Sequence, residues 1–374
     1  MKVKKNIPLC LPKLPTTEKI IPYLKKIDAS RWYSNQGPLL KEFLLRMAKL
    51  FHIQPTQITT ASSGTLLLEL CLKAMNIKKN SLCITPAWTF VATPLAIINA
   101  HLTPVFVDVD PVTQTIDPLQ LEANLPHLAH KGEIGAVIVV APYGMPINVK
   151  DWDNFSDKTG VPVIIDAAAA FDTVLQLPQM RVSKTPIMVS LHATKIFGVG
   201  EGGMMLTTDT ALINQIESLT QFGFKNSIRN AESLGTNAKV SEYTAAIGLA
   251  ALDSWEKTRT AWEKLATQYQ QLLNMLEIKH LFTHQWLSST CNIIVPYQAD
   301  AIANTLENSG VMARKWYGDG CHHHTVFKSA LATELPNTEY LRKSTLGLPF
   351  YLNINIDDIN TVIDQLAIAC AICA

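Results

Sequence analysis

Lys195 lies in Ser190–Thr208 (SLHATKIFGVGEGGMMLTT), in a turn between two apolar runs and among small residues. An amine placed there is partly desolvated, which lowers its pKa and makes it a nucleophile toward carbonyl carbons; a plain surface lysine is the other reading. Asp166 closes the apolar run Val163–Asp166 (VIID). The C-terminal end of a buried strand is where α/β sheets place their ligands, although an aspartate there serves equally as a helix N-cap. Upstream, in Thr59–Ala74 (TTASSGTLLLELCLKA), the small residues Ser62, Ser63, Gly64 and Thr65 open an apolar helix. Unpaired N–H groups and the helix dipole suit such a start to an anion, and Gly64 lets a phosphate approach the backbone; an ordinary capped helix is the alternative.

Phosphate cradle, strand-end carboxylate and nucleophilic lysine follow one another along the chain. Pyridoxal 5′-phosphate (PLP) requires all three: a helix start for its phosphate, an anion for its pyridine nitrogen, and a lysine for its aldehyde. Its ring also needs an apolar wall, and Trp88 and Phe90 follow Pro86 at a strand end. The run Gly198–Gly203 (GVGEGG) formally matches a dinucleotide fingerprint, but it leads into a strand-like run instead of a helix. A nicotinamide-dependent dehydrogenase rests on that match alone.

These residues need a frame. Ser81–Thr85, Thr103–Val109, Gly135–Ala141, Val161–Asp166, Ile187–Leu191 and Gly203–Thr207 are short apolar runs, as expected of strands buried on both faces. Helical patterns at Thr65–Met75, Thr93–Asn99, Pro118–Leu125 and Val149–Thr159 lie between several of them. The alternation predicts an α/β domain with a mostly parallel central sheet and helices on both faces. Beyond about residue 208 the texture changes. Ser241 reads as an N-cap, and a long helix runs to about Glu277. Cys291–Pro296 reads as a strand, and Ala299–Ser309 and Ile356–Ile372 as helices. The expected division is a large domain over residues 1–250, with an N-terminal arm, and a smaller α+β domain over 251–374.

Composition excludes several classes. Of 374 residues, 48% are hydrophobic and 17% charged, too apolar for a disordered chain. Lys and Arg number 32 against 31 Asp and Glu, which argues against nucleic acid or an anionic membrane as partner. The mean hydropathy of +0.13 raises the question of a membrane span, yet the best apolar run, Ile134–Pro142, falls well short of the roughly 20 residues needed. Prolines 8, 12 and 15 interrupt any signal-peptide core, and seven scattered cysteines suit free thiols, so a cytoplasmic protein is expected. Cys370 and Cys373 form a CxxC that reads as helix packing.

With these motifs the sequence resembles the DegT/StrS nucleotide-sugar aminotransferases, which are fold-type I PLP enzymes. The resemblance runs over nearly the whole chain. It includes Trp32–Pro38 (WYSNQGP), Ser63-Gly64-Thr65, Pro86–Thr93 (PAWTFVAT), Pro104–Asp110 (PVFVDVD), Asp166-Ala167-Ala168, Ser190–Lys195 (SLHATK), Gly200–Gly203 (GEGG), Gly235–Lys239 (GTNAK) and Ala245–Gly248 (AAIG).

The resemblance implies Lys195 as Schiff-base lysine and proton shuttle, and Asp166 opposite the pyridine nitrogen. Gly64 and Thr65, helped by Ser190, would hold the phosphate, and Phe90 rather than Trp88 would stack on the ring. Asn237 would reach the phosphate of a neighbouring subunit, which implies a homodimer with shared active sites. Asn35, Lys239, Tyr317 and His322 are candidate acceptor contacts. The implied reaction moves an amino group from L-glutamate to a keto group of a nucleotide-linked 4-keto-6-deoxy or 3-keto sugar.

Ala169 replaces the family's usual Gln or His, and Ala238-Lys239 its aromatic-arginine pair. The first departure leaves open a catalytically silent PLP- or ketosugar-binding regulator. In Arg314–His324 (RKWYGDGCHHH), three adjacent histidines could suggest a metal, but neighbours on one loop do not all converge and no second ligand cluster stands out. No metal is expected.

Overall fold

The computed structural model describes residues 6–225, 230–281, 283 and 285–373. Its centre is an eight-stranded sheet. The strands are β1 (Ile58–Ala61), β2 (Leu82–Pro86), β3 (Thr103–Val107), β4 (Ile134–Val140), β5 (Val163–Asp166), β6 (Ile187–Ser190) and β7 (Gly203–Leu206), with Leu331–Ala332 as the eighth. The spatial order is β1-β7-β6-β5-β4-β2-β3, ending on Leu331–Ala332. β6, β5, β4, β2, β3 and Leu331–Ala332 run parallel. β7 is antiparallel to both β6 and β1.

Alternate residues of the central strands feed two apolar cores. Ile138, Ile164 and Met188 pack on one side with Leu67, Leu68 and Cys71 of α3 (Gly64–Ala74). Val139, Ile165 and Val189 pack on the other with Phe51, Trp152 and Phe171. Both faces are covered, which is why these strands read as unbroken apolar runs.

Helix α1 (Thr17–Ser30) and helix α2 (Pro38–Phe51) precede the sheet. The start of α2 is capped from a distance. The fully buried Glu242 carboxylate accepts from Leu39 N–H at 2.7 Å and Leu40 N–H at 3.0 Å, satisfying two of the helix's orphan donors with charge of the favourable sign. Ser241 does cap the following helix, Glu242–Asp253, by accepting from Thr244 N–H at 3.1 Å. The long helix expected to run unbroken to Glu277 is in fact two: at Ser254 the chain leaves helical geometry, and Trp255–Met275 resumes it.

Lys279–His280, Cys291–Ile294 and Thr345–Leu348 form a three-stranded antiparallel sheet, accompanied by helices Ala299–Ser309 and Ile356–Cys373. Segments cross between the two sheets. Ile7 N–H bonds Gly310 carbonyl at 2.8 Å, Phe350 N–H bonds Leu9 carbonyl at 3.0 Å, and Leu331–Ala332 leaves the C-terminal region to pair with β3. Asp172, fully buried, accepts from Arg259 Nε at 2.7 Å and from Leu287 N–H at 3.0 Å. All seven cysteines are free. Among the described residues no helix is long and apolar enough to cross a membrane.

Candidate active site

Helix α3 begins at the carboxyl end of neighbouring strands. Ser63 is its N-cap: the side chain accepts from Leu66 N–H at 3.2 Å, and the Ser63 carbonyl accepts from Leu67 N–H at 3.2 Å. That leaves the N–H groups of Gly64 and Thr65 without a partner among the described residues, at the positive end of an 11-residue helix. Glycine is required around this point. A Cβ on Gly64 would sit 2.7 Å from Met188 Sδ, and one on Gly203 would sit 2.7 Å from Gly64 N. Ser190, ending β6, is buried at the same place, and its hydroxyl accepts from His192 N–H at 3.2 Å.

Asp166 ends β5 and is only 6% exposed. Its Oδ2 accepts from Thr93 Oγ1 at 2.7 Å, and its Oδ1 from Ala168 N–H at 3.1 Å. Burial pushes the carboxyl pKa up, while these two hydrogen bonds and the charge of Lys195 pull it down.

Lys195 lies between β6 and β7, as expected. The turn is pinned by Lys195 N–H to His192 carbonyl at 2.9 Å and Ala193 N–H to Gly200 carbonyl at 2.8 Å. The amine has no hydrogen bond or ion pair among the described residues. Burial pushes its pKa below the usual lysine value, opposed by the charges of Asp166 and Cys10. A desolvated amine with no fixed partner is a competent nucleophile and proton carrier.

Aromatic residues wall the cavity. Phe90 is 58% exposed yet lines it, whereas Trp88 is wholly buried and donates Nε1–H to Gln114 Oε1 at 2.9 Å. The two aromatics, two positions apart in the sequence motif, therefore divide into a cavity wall and a core side chain. Tyr143 and Tyr317 stack with centroids 4.5 Å apart, and the Tyr317 hydroxyl accepts from Tyr143 N–H at 3.3 Å. The Tyr143 hydroxyl is buried without a partner. Ala168 and Ala169 line the floor, so the position of the family's usual Gln or His contributes only a methyl group.

One cavity thus gathers Gly64, Thr65, Phe90, Asp166, Ser190, Lys195 and Tyr317. Asn35, Asn237 and Lys239 do not line it. Asn35 is exposed at φ 60°, and Asn237 is exposed and accepts from Lys239 Nζ at 2.5 Å. His322 also lies outside the cavity, bonded to Glu339 at 2.8 Å. The cavity adds Cys10, Tyr143 and Trp316, and Thr93 stands behind Asp166. Thr93 and Trp316 belong to quoted motifs but carried no signal of their own. The run Gly198–Gly203 does lead into β7, a strand, as its residue pattern indicates.

The donor set fits PLP. The free N–H pair and the Gly64 cradle suit a phosphate. The near-buried Asp166 suits a pyridinium. The unpartnered Lys195 shares their cavity, and Phe90 offers a ring face.

Known proteins agree with this geometry. Residues 15–367 match the profile of the DegT/DnrJ/EryC1/StrS aminotransferase family. The chain is 26% identical over 364 residues to dTDP-4-amino-4,6-dideoxy-D-glucose transaminase of Escherichia coli, covering 94% of this chain and 95% of that protein. The structure superposes on a putative PLP-dependent aminotransferase from Bacillus cereus with a TM-score of 0.88 at 27% identity, over 98% of this chain and 100% of that one. It superposes on DesI, solved in the presence of its TDP-sugar product, with a TM-score of 0.86 at 28% identity, over 98% and 94%.

Proposed function

The chain belongs to the DegT/DnrJ/EryC1/StrS aminotransferase family and is a PLP-dependent aminotransferase, and from that premise we propose that it transfers an amino group from L-glutamate to a keto group of a nucleotide-linked sugar, 4-keto-6-deoxy or 3-keto. The observation that carries this reading is the convergence of Lys195, Asp166 and the free N–H pair of α3 on one cavity. The E. coli relative's name and the TDP-sugar in the DesI structure support the acceptor class.

In this reading the N–H groups of Gly64 and Thr65 and the Ser190 hydroxyl hold the cofactor phosphate. Asp166 faces the pyridine nitrogen, and Phe90 covers the ring. Bound there, PLP supplies an electron sink and a carbon that carries nitrogen from donor to acceptor. Asp166 serves as the anion: its buried position makes the pairing with a cation strong, and Thr93 and Ala168 hold its two oxygens in place. Lys195 Nζ takes a proton from the donor α-carbon and later returns one, as base and then acid. Its lowered pKa raises the neutral fraction available for the first role. Tyr143 and Tyr317, stacked on one another, form an apolar wall that keeps water from that part of the cavity.

The active form is a homodimer in this reading. Trp32 at 48% exposed, Phe222 at 45% and Tyr243 at 47% are large apolar groups left on the surface of the single chain. Asn237 lies outside its own chain's cavity and in this reading serves the phosphate of the partner copy; Asn35 and Lys239 lie outside the cavity too. Seven free thiols support a cytoplasmic setting.

The test is a single-turnover titration. L-glutamate should discharge the cofactor's visible absorbance with release of 2-oxoglutarate, and a nucleotide-ketosugar should restore it. If no amino acid discharges the band, a silent cofactor-binding protein is the better description.

A further inference from the structure

His322 and His323 sit on the short turn Cys321–His323, outside the cavity. Both point Nε2 at the same oxygen, Glu339 Oε1, at 2.8 Å each, with ring centroids 4.2 Å apart. Glu339 comes from helix Pro336–Ser344, so the third group is separated in sequence from the pair. One ligand atom from each lies within 4.8 Å of the others, the only such cluster among the described residues.

Both supporting pieces are fastened independently. The turn is held by Cys321 N–H to Ala87 carbonyl at 2.8 Å and Cys321 Sγ to Thr89 carbonyl at 3.2 Å. The helix start is held by Asp108, which accepts from Asn337 N–H and Thr338 N–H at 2.8 Å each. The carboxylate is oriented too: Arg342 Nε donates to Oε2 at 2.6 Å, leaving Oε1 to the two imidazoles. Partners of this kind, behind the ligands, are what orient metal-binding groups in known sites. In the metal-free form each Nε2 donates to Glu339 Oε1, so an ion would take the place of those two protons; His322 Nδ1, buried and without a partner, is the ring atom left to carry the proton.

We propose that His322 Nε2, His323 Nε2 and Glu339 Oε1 bind one divalent transition ion of the zinc class. Two imidazoles and a carboxylate are a borderline donor set that suits Zn²⁺ and disfavours Mg²⁺ and Ca²⁺. Metal–ligand bonds of about 2.0–2.2 Å separate tetrahedral ligands by somewhat more than the present contacts, so the two rings need only turn slightly apart. His323 is half-exposed, which gives the ion an entry path and a water as fourth ligand. Bound there, the ion joins the turn to helix Pro336–Ser344 and braces the segment that carries Tyr317 into the cavity. The site is separate from the cofactor groups and does not depend on the proposed substrates.

Tag-free, PLP-loaded protein, stripped with chelator, is titrated with Zn²⁺ against a chromophoric competitor, and retained metal is measured after gel filtration. The expected result is one zinc per chain and a raised thermal midpoint. His323→Ala should bind Zn²⁺ at least about tenfold more weakly and lose the thermal shift, with the cofactor absorbance unchanged. Glu339→Gln supplies a second variant that keeps the side-chain shape. Zinc retention in the unaltered chain no greater than in both variants overturns the proposal, as does binding that survives either substitution at full strength.

Discussion

The Thr93 hydroxyl donates to Oδ2 of Asp166 at 2.7 Å, from a residue with no exposed surface. Thr89 Oγ1 lies 2.9 Å from Thr93 Oγ1; since Thr93 gives its hydrogen to the carboxylate, Thr89 donates in turn. A relay of two hydroxyls therefore stabilises the anionic form of a carboxylate whose pKa burial pushes up. Thr93→Val keeps the shape and removes the donor. A hydrogen bond to a charged group contributes roughly 1.5–3 kcal/mol, so cofactor retention should weaken by about tenfold or more. Spectroscopic titration of PLP into stripped protein measures this; an unchanged dissociation constant would show that the bond does not matter to the pair.

Lys195→Ala should remove the covalent attachment and the proton carrier together. Amino transfer is expected to fall by at least about 10²–10⁴-fold, the range associated with losing a general acid–base group. Borohydride reduction followed by peptide mass spectrometry should place the cofactor on the Lys195 peptide in the unaltered chain, and on no lysine in the variant. Turnover at full rate would reassign the residue.

The lowered pKa of Lys195 makes a signed prediction for cofactor-free protein. Between its folded value and the ordinary lysine value of about 10.4, the unfolded chain holds the proton that the folded chain has lost. Stability therefore rises with pH through that window. Urea denaturation of the unaltered chain and of Lys195→Met should give curves that converge at alkaline pH, with the unaltered chain losing ground as pH falls. Parallel curves over the window would contradict the shift.

Asp172 carries a different burden. It is wholly buried and satisfies both Arg259 and the Leu287 N–H. Burial pushes its pKa up against the pull of that guanidinium. Asp172→Ala leaves the Leu287 amide unpaired and Arg259, among the described residues, with only its longer contact to Glu263 at 3.8 Å, and should cost about 3–5 kcal/mol in chemical denaturation. Adding Arg259→Met should return part of that loss. A double variant as unstable as the sum of both singles would rule out the coupling.

Gly203→Ala tests the crowding at the head of α3. The added Cβ would lie 2.7 Å from the backbone nitrogen of Gly64, so β7 or the helix must move. Weaker retention of inorganic phosphate and of PLP is expected, with secondary structure intact by circular dichroism. Native affinity for both would mean that the phosphate site lies elsewhere.

The parallel strands were readable from their sequences because both faces are buried and apolar residues run on without interruption. β1 was not: Ile58–Ala61 is half threonine, and its partner β7 is far along the chain. Leu331–Ala332 is too short to leave a pattern. Lys195, Asp166 and Gly64 announced themselves through local context, a turn, a strand end and a helix start. Tyr143 and Thr93 did not, since one works through stacking on Tyr317 and the other through a bond to Asp166, both remote in sequence. The three histidines were legible as a cluster, and the expectation that not all would converge holds for His324. The convergence of the other two depends on Glu339, which a helix brings back to them.

The eighth strand has a consequence for how the molecule is made. Among the described residues the open edge of β3 is covered only by Leu331–Ala332, while Ile7 and Leu9 find their backbone partners at Gly310, Met312 and Phe350. Until Leu331–Ala332 has been made, a growing polypeptide carries the other seven strands with that side of β3 unpaired, and Ile7 has no backbone partner before Gly310. Bare edges pair with other chains. A polypeptide stopped short of residue 331 therefore leaves that side of β3 unpaired, and such truncated chains should be found in aggregates.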